Sequence, residues 1–130
     1  MRPFHLPILL ALALAPAAAP AQDWRQSREH ELVVSNFDIS PGEIRLRAGE
    51  PVRLRLINRS DRGHSLSAPA LFAAAKLRNR DKASMSGGSV NVGAGEVREL
   101  LLVPAPGRYK LRSGNFLYRL LGMSSEIVVE

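Results

Sequence analysis

The sequence predicts an all-β protein, a Greek-key β-sandwich of seven or eight strands with one short helix in an insertion. In several short runs, apolar and charged residues alternate at every second position, which places the apolar ones on one face of a strand. Turn residues, mainly Gly, Pro and Asn, separate these runs. Short strands with this spacing typically form two packed sheets, and 130 residues suffice for one such domain.

The chain begins with the features of a secretory signal peptide, which we assign to residues 1–21. Arg2 gives a positively charged start, residues 6–14 form an apolar run too short to span a bilayer, and small residues at 19–21 form a cleavage site. We therefore expect an N-terminal segment at 22–30, a domain at 31–130 and no transmembrane segment. We expect the exported protein to be periplasmic or secreted.

Four strands are predicted in the first half of the domain. Their ranges are 31–37, 44–47, 52–57 and 64–67, with a turn at 40–42 and a loop at 58–63. In the second and third of these strands, aliphatic residues alternate with arginines, namely Arg45, Arg47, Arg53 and Arg55. We expect these arginines to face water. They form a candidate docking patch for an acidic partner if both strands present them on one side.

The second half is predicted to contain the one helix and four further strands. Residues 70–77 are the only helical candidate, and Pro69 suits the first turn of that helix. Residues 78–88 are polar and contain Gly, so we predict a loop there. The strands are expected at 89–92, 97–103, 108–112 and 125–129.

Composition excludes several classes of site. The chain has no Cys, so disulfides, zinc ribbons, iron–sulfur clusters and thiol redox chemistry are excluded, and stability must come from the packed core. The formal net charge is +6, which suits contact with an anionic surface or an acidic partner. Because the basic residues are scattered along strands without aromatic residues between them, we do not expect nucleic-acid binding.

Several stretches occur in an order and spacing that point to one family. They are 37–41, 44–49, 52–58 and 63–66 in the first half, and 95–96, 106–109, 122–123 and 127–129 in the second. Together they resemble a small exported cupredoxin over nearly all of the mature chain. The resemblance implies a sandwich of cupredoxin type, in which residues 68–88 form a longer insertion than the smallest members carry.

The same resemblance places four copper-ligand positions in this chain. An upstream His corresponds to His64, and a later Cys-x4-His-x4-Met pattern corresponds to Ser113, Tyr118 and Met123. A thiolate dominates copper binding in such sites, whereas a serine hydroxyl is a hard and weak ligand. The resemblance therefore implies a degenerate type 1 site in which His64 and Met123 are vestigial ligands. We expect no cofactor, and at most weak binding of copper.

We interpret the protein as a non-enzymatic binding or accessory module that works through His64, Tyr118 and Met123. The alternative is weak binding or trafficking of Cu(I) or another soft metal through His64 and Met123. A hydrolase that uses Ser113, His64 and Asp61 is disfavoured, because no nucleophile-elbow sequence surrounds Ser113. We expect a monomer with an unidentified protein partner.

The candidate residues also have ordinary structural interpretations. His64 can be a histidine kept by packing at the end of the sandwich, and Met123 can fill an irregular gap at the core edge. The run 116–118 can close the former metal cleft with apolar surface. The Tyr109 hydroxyl is expected to hydrogen-bond a backbone group, and Trp24 is expected to hold the N-terminal segment against the body.

Overall fold

The computed structural model describes residues 3–4, 13–15 and 21–130. Most of the predicted signal peptide therefore lies outside the described residues, as does the side chain of Phe116, and the signal peptide stays a prediction. Within the described ranges, no helix is long and apolar enough to cross a membrane.

Two five-stranded sheets form a sandwich. In chain order the strands are β1 (Arg28–Val34), β2 (Ile39–Ser40), β3 (Glu43–Leu46), β4 (Val52–Asn58), β5 (His64–Ser67), β6 (Lys76–Leu77), β7 (Ser89–Val92), β8 (Val97–Val103), β9 (Gly107–Ser113) and β10 (Ser124–Val129). The first sheet has the order β2-β1-β4-β8-β6, and the second has the order β3-β10-β9-β5-β7. From β3 to β9, each strand lies in the sheet opposite to the strand before it. The predicted Greek-key β-sandwich is confirmed.

The strand count is higher than predicted because two strands are very short. β2 and β6 have two residues each and lie at the two edges of the first sheet. A two-residue strand has no alternation of its own, so the sequence pattern cannot show it.

The core lies between the sheets and is built from the alternation seen in the sequence. In β4, Val52, Leu54 and Leu56 are buried, whereas Arg53 and Arg55 between them are partly exposed. Burying one such aliphatic side chain stabilises the fold by about 1.5–3 kcal/mol. Fully buried residues from the other strands complete this core, among them Leu32, Leu66, Leu100, Leu111 and Ile127.

The arginines of β3 and β4 do not form one surface. β3 belongs to the second sheet and β4 to the first, so Arg45 and Arg55 lie on opposite outer faces of the sandwich. Arg55 also forms ion pairs with Glu29, Glu31 and Glu99 at 3.0–3.5 Å. The condition for a shared arginine docking patch is therefore not met.

The first strand begins and ends three residues earlier than the predicted range 31–37. It runs parallel to β4, with Arg28 opposite Val52. Its first half is charged, and Glu29 and Glu31 lie beside Arg55 of the neighbouring strand. Opposite charges on adjacent strands stabilise such pairing, so the strand extends through residues that an apolar pattern does not mark.

The helix predicted in the insertion is confirmed but is shorter than the range 70–77. Helix α1 (Pro69–Ala74) has its Pro in the first turn, as predicted. It ends before Lys76 and Leu77 because these two residues pair with β8 as the edge strand β6. Backbone pairing with a neighbouring strand has replaced the last turn of the expected helix.

The predicted loop at 78–88 is wrong, because it contains helix α2 (Asn79–Ala83). Asp81 of this helix is buried and fixes it to the sandwich. Its carboxylate accepts the amide of Leu101 in β8 at 2.9 Å and two hydrogen bonds from the Arg78 guanidinium at 2.8 and 2.9 Å. A tertiary contact therefore orders a segment that its composition marks as a loop.

Candidate functional site

The structure brings the four predicted ligand positions to one end of the second sheet, which we call the rim. His64 begins β5, Ser113 ends β9, and Met123 directly precedes β10. Tyr118 lies on helix α3 (Phe116–Leu120), in the connection between β9 and β10. That connection is closed by the Ser113 amide, which donates to the carbonyl oxygen of Met123 at 3.2 Å.

The loop before His64 is held by Asn58, a buried residue whose role the sequence pattern did not reveal. Its Nδ2 donates to the carbonyl oxygens of Arg62 at 2.9 Å and Val92 at 3.0 Å. Its Oδ1 accepts the Ser60 amide at 2.9 Å and the Ser60 hydroxyl at 2.6 Å. One amide side chain thus joins the end of β4, the loop and β7, and it fixes where His64 enters the rim.

His64 is only 4% exposed, and its Nε2 is buried without a hydrogen-bond partner among the described residues. Burial lowers the pKa of His64 below its ordinary value of 6.5, and the Arg62 charge lowers it further, while Asp61 opposes the shift. Burial and the Arg62 charge both favour the neutral form of the imidazole. Asp61 itself is exposed and lies 3.5 Å from the Arg62 guanidinium.

Ser113, at the expected thiolate position, is 1% exposed. Its Oγ accepts the backbone amide of Asn115 at 3.2 Å. Asn115 in turn caps α3, because its Oδ1 accepts the Leu117 amide at 2.9 Å. Within the described part of the chain, the Ser113 hydroxyl makes no hydrogen bond to His64, so the pair that a serine nucleophile needs is not formed.

Tyr118, at the expected second imidazole position, covers His64. The two rings pack edge to face with centroids 5.4 Å apart. The Phe37 ring is tilted relative to the Tyr118 ring, and the centroids of these two rings are 6.1 Å apart. The Tyr118 hydroxyl accepts a hydrogen bond from Arg62 Nη1 at 2.7 Å. Three loops therefore meet at the Tyr118 ring, whereas the closing of a former metal cleft by residues 116–118 stays a prediction. Leu117 does not share that role, since it is 66% exposed.

Helix α3 and the residue directly after it carry three leucines that face solvent, a feature that the sequence pattern did not predict. Leu117, Leu120 and Leu121 are 63–68% exposed. The signal was present as a capping residue, Asn115, before the helix and Gly122 after it, where φ is +80°. Apolar side chains grouped on a surface typically mark a contact site.

Met123 is fully buried and packs in the core, as its structural interpretation predicted. Its amide donates to the Tyr118 carbonyl oxygen at 3.1 Å. The rim therefore offers one imidazole, one thioether and two hydroxyls that already accept hydrogen bonds, and this set does not fit a type 1 copper ion. Among the described residues, no three His, Cys, Asp or Glu side chains group as a metal site.

The sandwich and its strand order define a protein with a cupredoxin-like fold. A reduced auracyanin from the photosynthetic bacterium Roseiflexus castenholzii is similar with a TM-score of 0.59 and 16% identity, over 80% of this chain and 98% of that one. Auracyanin B is similar with a TM-score of 0.56 and 19% identity, over 79% and 88% of the two chains. No protein-family model and no curated protein matches the sequence.

Proposed function

We propose that this protein is an exported, non-enzymatic binding module with a cupredoxin-like fold whose type 1 copper site has degenerated. The observation that supports this most directly is the buried Ser113 at the thiolate position, with its hydroxyl used as a backbone hydrogen-bond acceptor. A neutral oxygen ligand cannot supply the soft, charged donor on which blue copper depends. The proposal is also supported by Tyr118, the residue that the resemblance aligns with the second imidazole, because it packs on His64 and accepts a hydrogen bond from Arg62.

The working surface in this proposal is the rim together with the exposed leucines at α3, which are Leu117, Leu120 and Leu121. These leucines lie within three residues of Tyr118 in the sequence, and Phe37 beside the Tyr118 ring is 59% exposed. Exposed apolar surface is unfavourable in water, and burying it against another molecule removes that free-energy cost. A protein partner that covers these side chains is the role we assign to the rim.

Photo-crosslinking tests this surface in the native exported compartment. With a photoreactive amino acid at Leu120, we expect one discrete crosslinked species, and a second variant with Leu117→Ser and Leu121→Ser should lose it because the apolar contact is gone. The matched control places the same group at Lys110, an exposed position on β9, and should give no such species. Equal crosslinking from both positions would contradict a rim-specific partner.

The second candidate function is weak handling of a soft metal such as Cu(I). It is favoured by the buried Nε2 of His64, which has no hydrogen-bond partner among the described residues, and by the Met123 thioether at the same end of the fold. Imidazole and thioether are both donors that Cu(I) accepts.

Copper titration separates the two candidates. For a degenerate site we expect no intense blue absorption on adding Cu(II), because no thiolate is present. We also expect the affinity for Cu(I), measured in competition with a chelator, to be unchanged in His64→Ala and Met123→Leu, with His30→Ala as the control. A loss of at least about tenfold confined to His64→Ala and Met123→Leu would establish the metal-handling function instead.

A further inference from the structure

The insertion builds an apolar groove away from the rim. One cleft of about 350 Å³ is lined mainly by Pro69, Phe72, Leu77 and Met85. A second cleft of about 440 Å³ shares Phe72 and Leu77 with it. A third, of about 300 Å³, continues past Leu77 to Trp24. The three clefts adjoin, so one extended ligand can lie along α1 and β6.

At one end of the groove, the backbone at Gly88 packs closely against Pro69. Gly88 has φ of +76°, and a Cβ there would lie only 2.5 Å from the Pro69 Cα atom. Only glycine permits the chain to pass α1 at this distance. At the floor, Phe72 is buried in the core cluster, while Leu77 and Met85 pack against that cluster with part of their surface exposed. The walls are therefore fixed to the sandwich.

The charge along this groove is positive and unbalanced. Two of the three lysines in the chain, Lys76 and Lys82, line it, and the third, Lys110, lies on β9. Neither Lys76 nor Lys82 has an ion pair or a side-chain hydrogen bond within the described residues. Arg78 nearby is neutralised by Asp81, and none of the residues that line the three clefts is acidic.

We propose that this groove binds a long-chain carboxylate, with its alkyl chain along Phe72, Leu77 and Met85 and its head group paired with Lys76 or Lys82. An alkyl chain has no polar groups to satisfy, which suits walls of alkyl and aromatic surface. A peptide backbone would need hydrogen-bond partners along its whole length. The two lysines, which have no ion-pair partner among the described residues, complement the single negative charge of a carboxylate.

Trp24 makes the proposal measurable, since it is the only tryptophan in the chain and lines the third cleft. We expect saturable quenching or enhancement of its fluorescence when dodecanoate is added to the exported protein below the micellar concentration. Reversing both charges, Lys76→Glu with Lys82→Glu, should weaken binding by about tenfold at low salt. Lys110→Glu is the matched control and should leave the affinity unchanged.

Binding measurements with one further variant and one further ligand test the groove independently. Ala73→Glu places a carboxylate at an exposed position that lines two of the clefts, so it should weaken dodecanoate binding without unfolding the protein. Dodecanol should bind more weakly than dodecanoate because it lacks the charge. Equal binding of dodecanol, an effect of Lys110→Glu as large as that of the double variant, or binding to anionic vesicles without binding of dodecanoate would each overturn the proposal.

Discussion

We expect Asn58→Ala to lower the free energy of unfolding by about 3 kcal/mol, since it removes a buried hydrogen-bond network. The substitution deprives the Arg62 and Val92 carbonyl oxygens of their donor and the Ser60 amide of its acceptor. Asn58 is 1% exposed, so water cannot replace these bonds without opening the loop. Urea unfolding followed by far-UV circular dichroism measures the loss.

Two variants show whether the network, and not the residue type, carries this energy. Asn91→Ala changes an exposed asparagine on β7 and should stay within about 0.5 kcal/mol of the parent protein. Asn58→Asp keeps the shape but turns the Nδ2 donor into an acceptor that faces two carbonyl oxygens, so it should be at least as harmful as the alanine. If Asn58→Ala unfolds at the parent urea concentration, this residue does not hold the His64 loop.

The strands that alternate most regularly were predicted with their observed bounds. β5, β7 and β8 occupy the predicted ranges, and β4 extends only one residue further. In each of them turn residues mark both ends, and burial follows the apolar positions except at Ile57 and Asn58 of β4, at His64 and in β8, where Val97 is exposed and the middle is continuously buried. The predicted role of Tyr109 is also confirmed, because its hydroxyl donates to the carbonyl oxygen of Ala105 at 3.0 Å. The local sequence pattern therefore suffices to predict the bounds of a strand where one face of that strand packs against the core.

The elements that the sequence did not predict depend on contacts between distant residues. Helix α2 forms because Asp81 reaches an amide of β8, 20 residues later in the chain. β6 exists only as a partner of β8. In the same way, the first strand extends back to Arg28 because a neighbouring strand supplies Arg55 for its glutamates. Such partners cannot be read from the local sequence of the segment that they order.

In the candidate site, too, the sequence indicated some features, whereas others depend on contacts between distant residues. The resemblance named His64, Ser113, Tyr118 and Met123 as ligand positions, and the structure places these four residues at one end of the second sheet. It could not indicate that Arg62 bonds the Tyr118 hydroxyl, since the two residues are 56 positions apart. The outward leucines at α3 were not predicted either, because Asn115 and Gly122 mark the ends of the helix but its five residues are too few to show an amphipathic period.

Asp81→Ala has the second large effect that we expect, a loss of about 3 kcal/mol in unfolding free energy. Asp81 is 5% exposed, and its removal leaves the Leu101 amide without an acceptor and the Arg78 guanidinium without its bidentate partner. Leaving the Arg78 guanidinium unpaired costs only a moderate free energy, because its side chain is 23% exposed and can turn toward water. Most of the loss therefore comes from Leu101 and from the release of α2.

Hydrogen exchange shows where Asp81→Ala acts on the structure. The Leu101 amide in β8 donates to Asp81, so in this variant it should lose protection before the β4 amides that face away from α2. Asp81→Asn retains one carbonyl acceptor and should be intermediate. Asp61→Ala is the matched control, because that aspartate is exposed and lies at 3.5 Å from a single arginine, so it should change stability by less than about 0.5 kcal/mol. Should Leu101 stay protected in Asp81→Ala, another contact must hold α2 on the sheet.

The groove of the insertion depends on the same anchor, because Lys82 and Met85 follow Asp81 in the chain. Asp81→Ala should therefore also weaken dodecanoate binding, whereas Asp61→Ala should not.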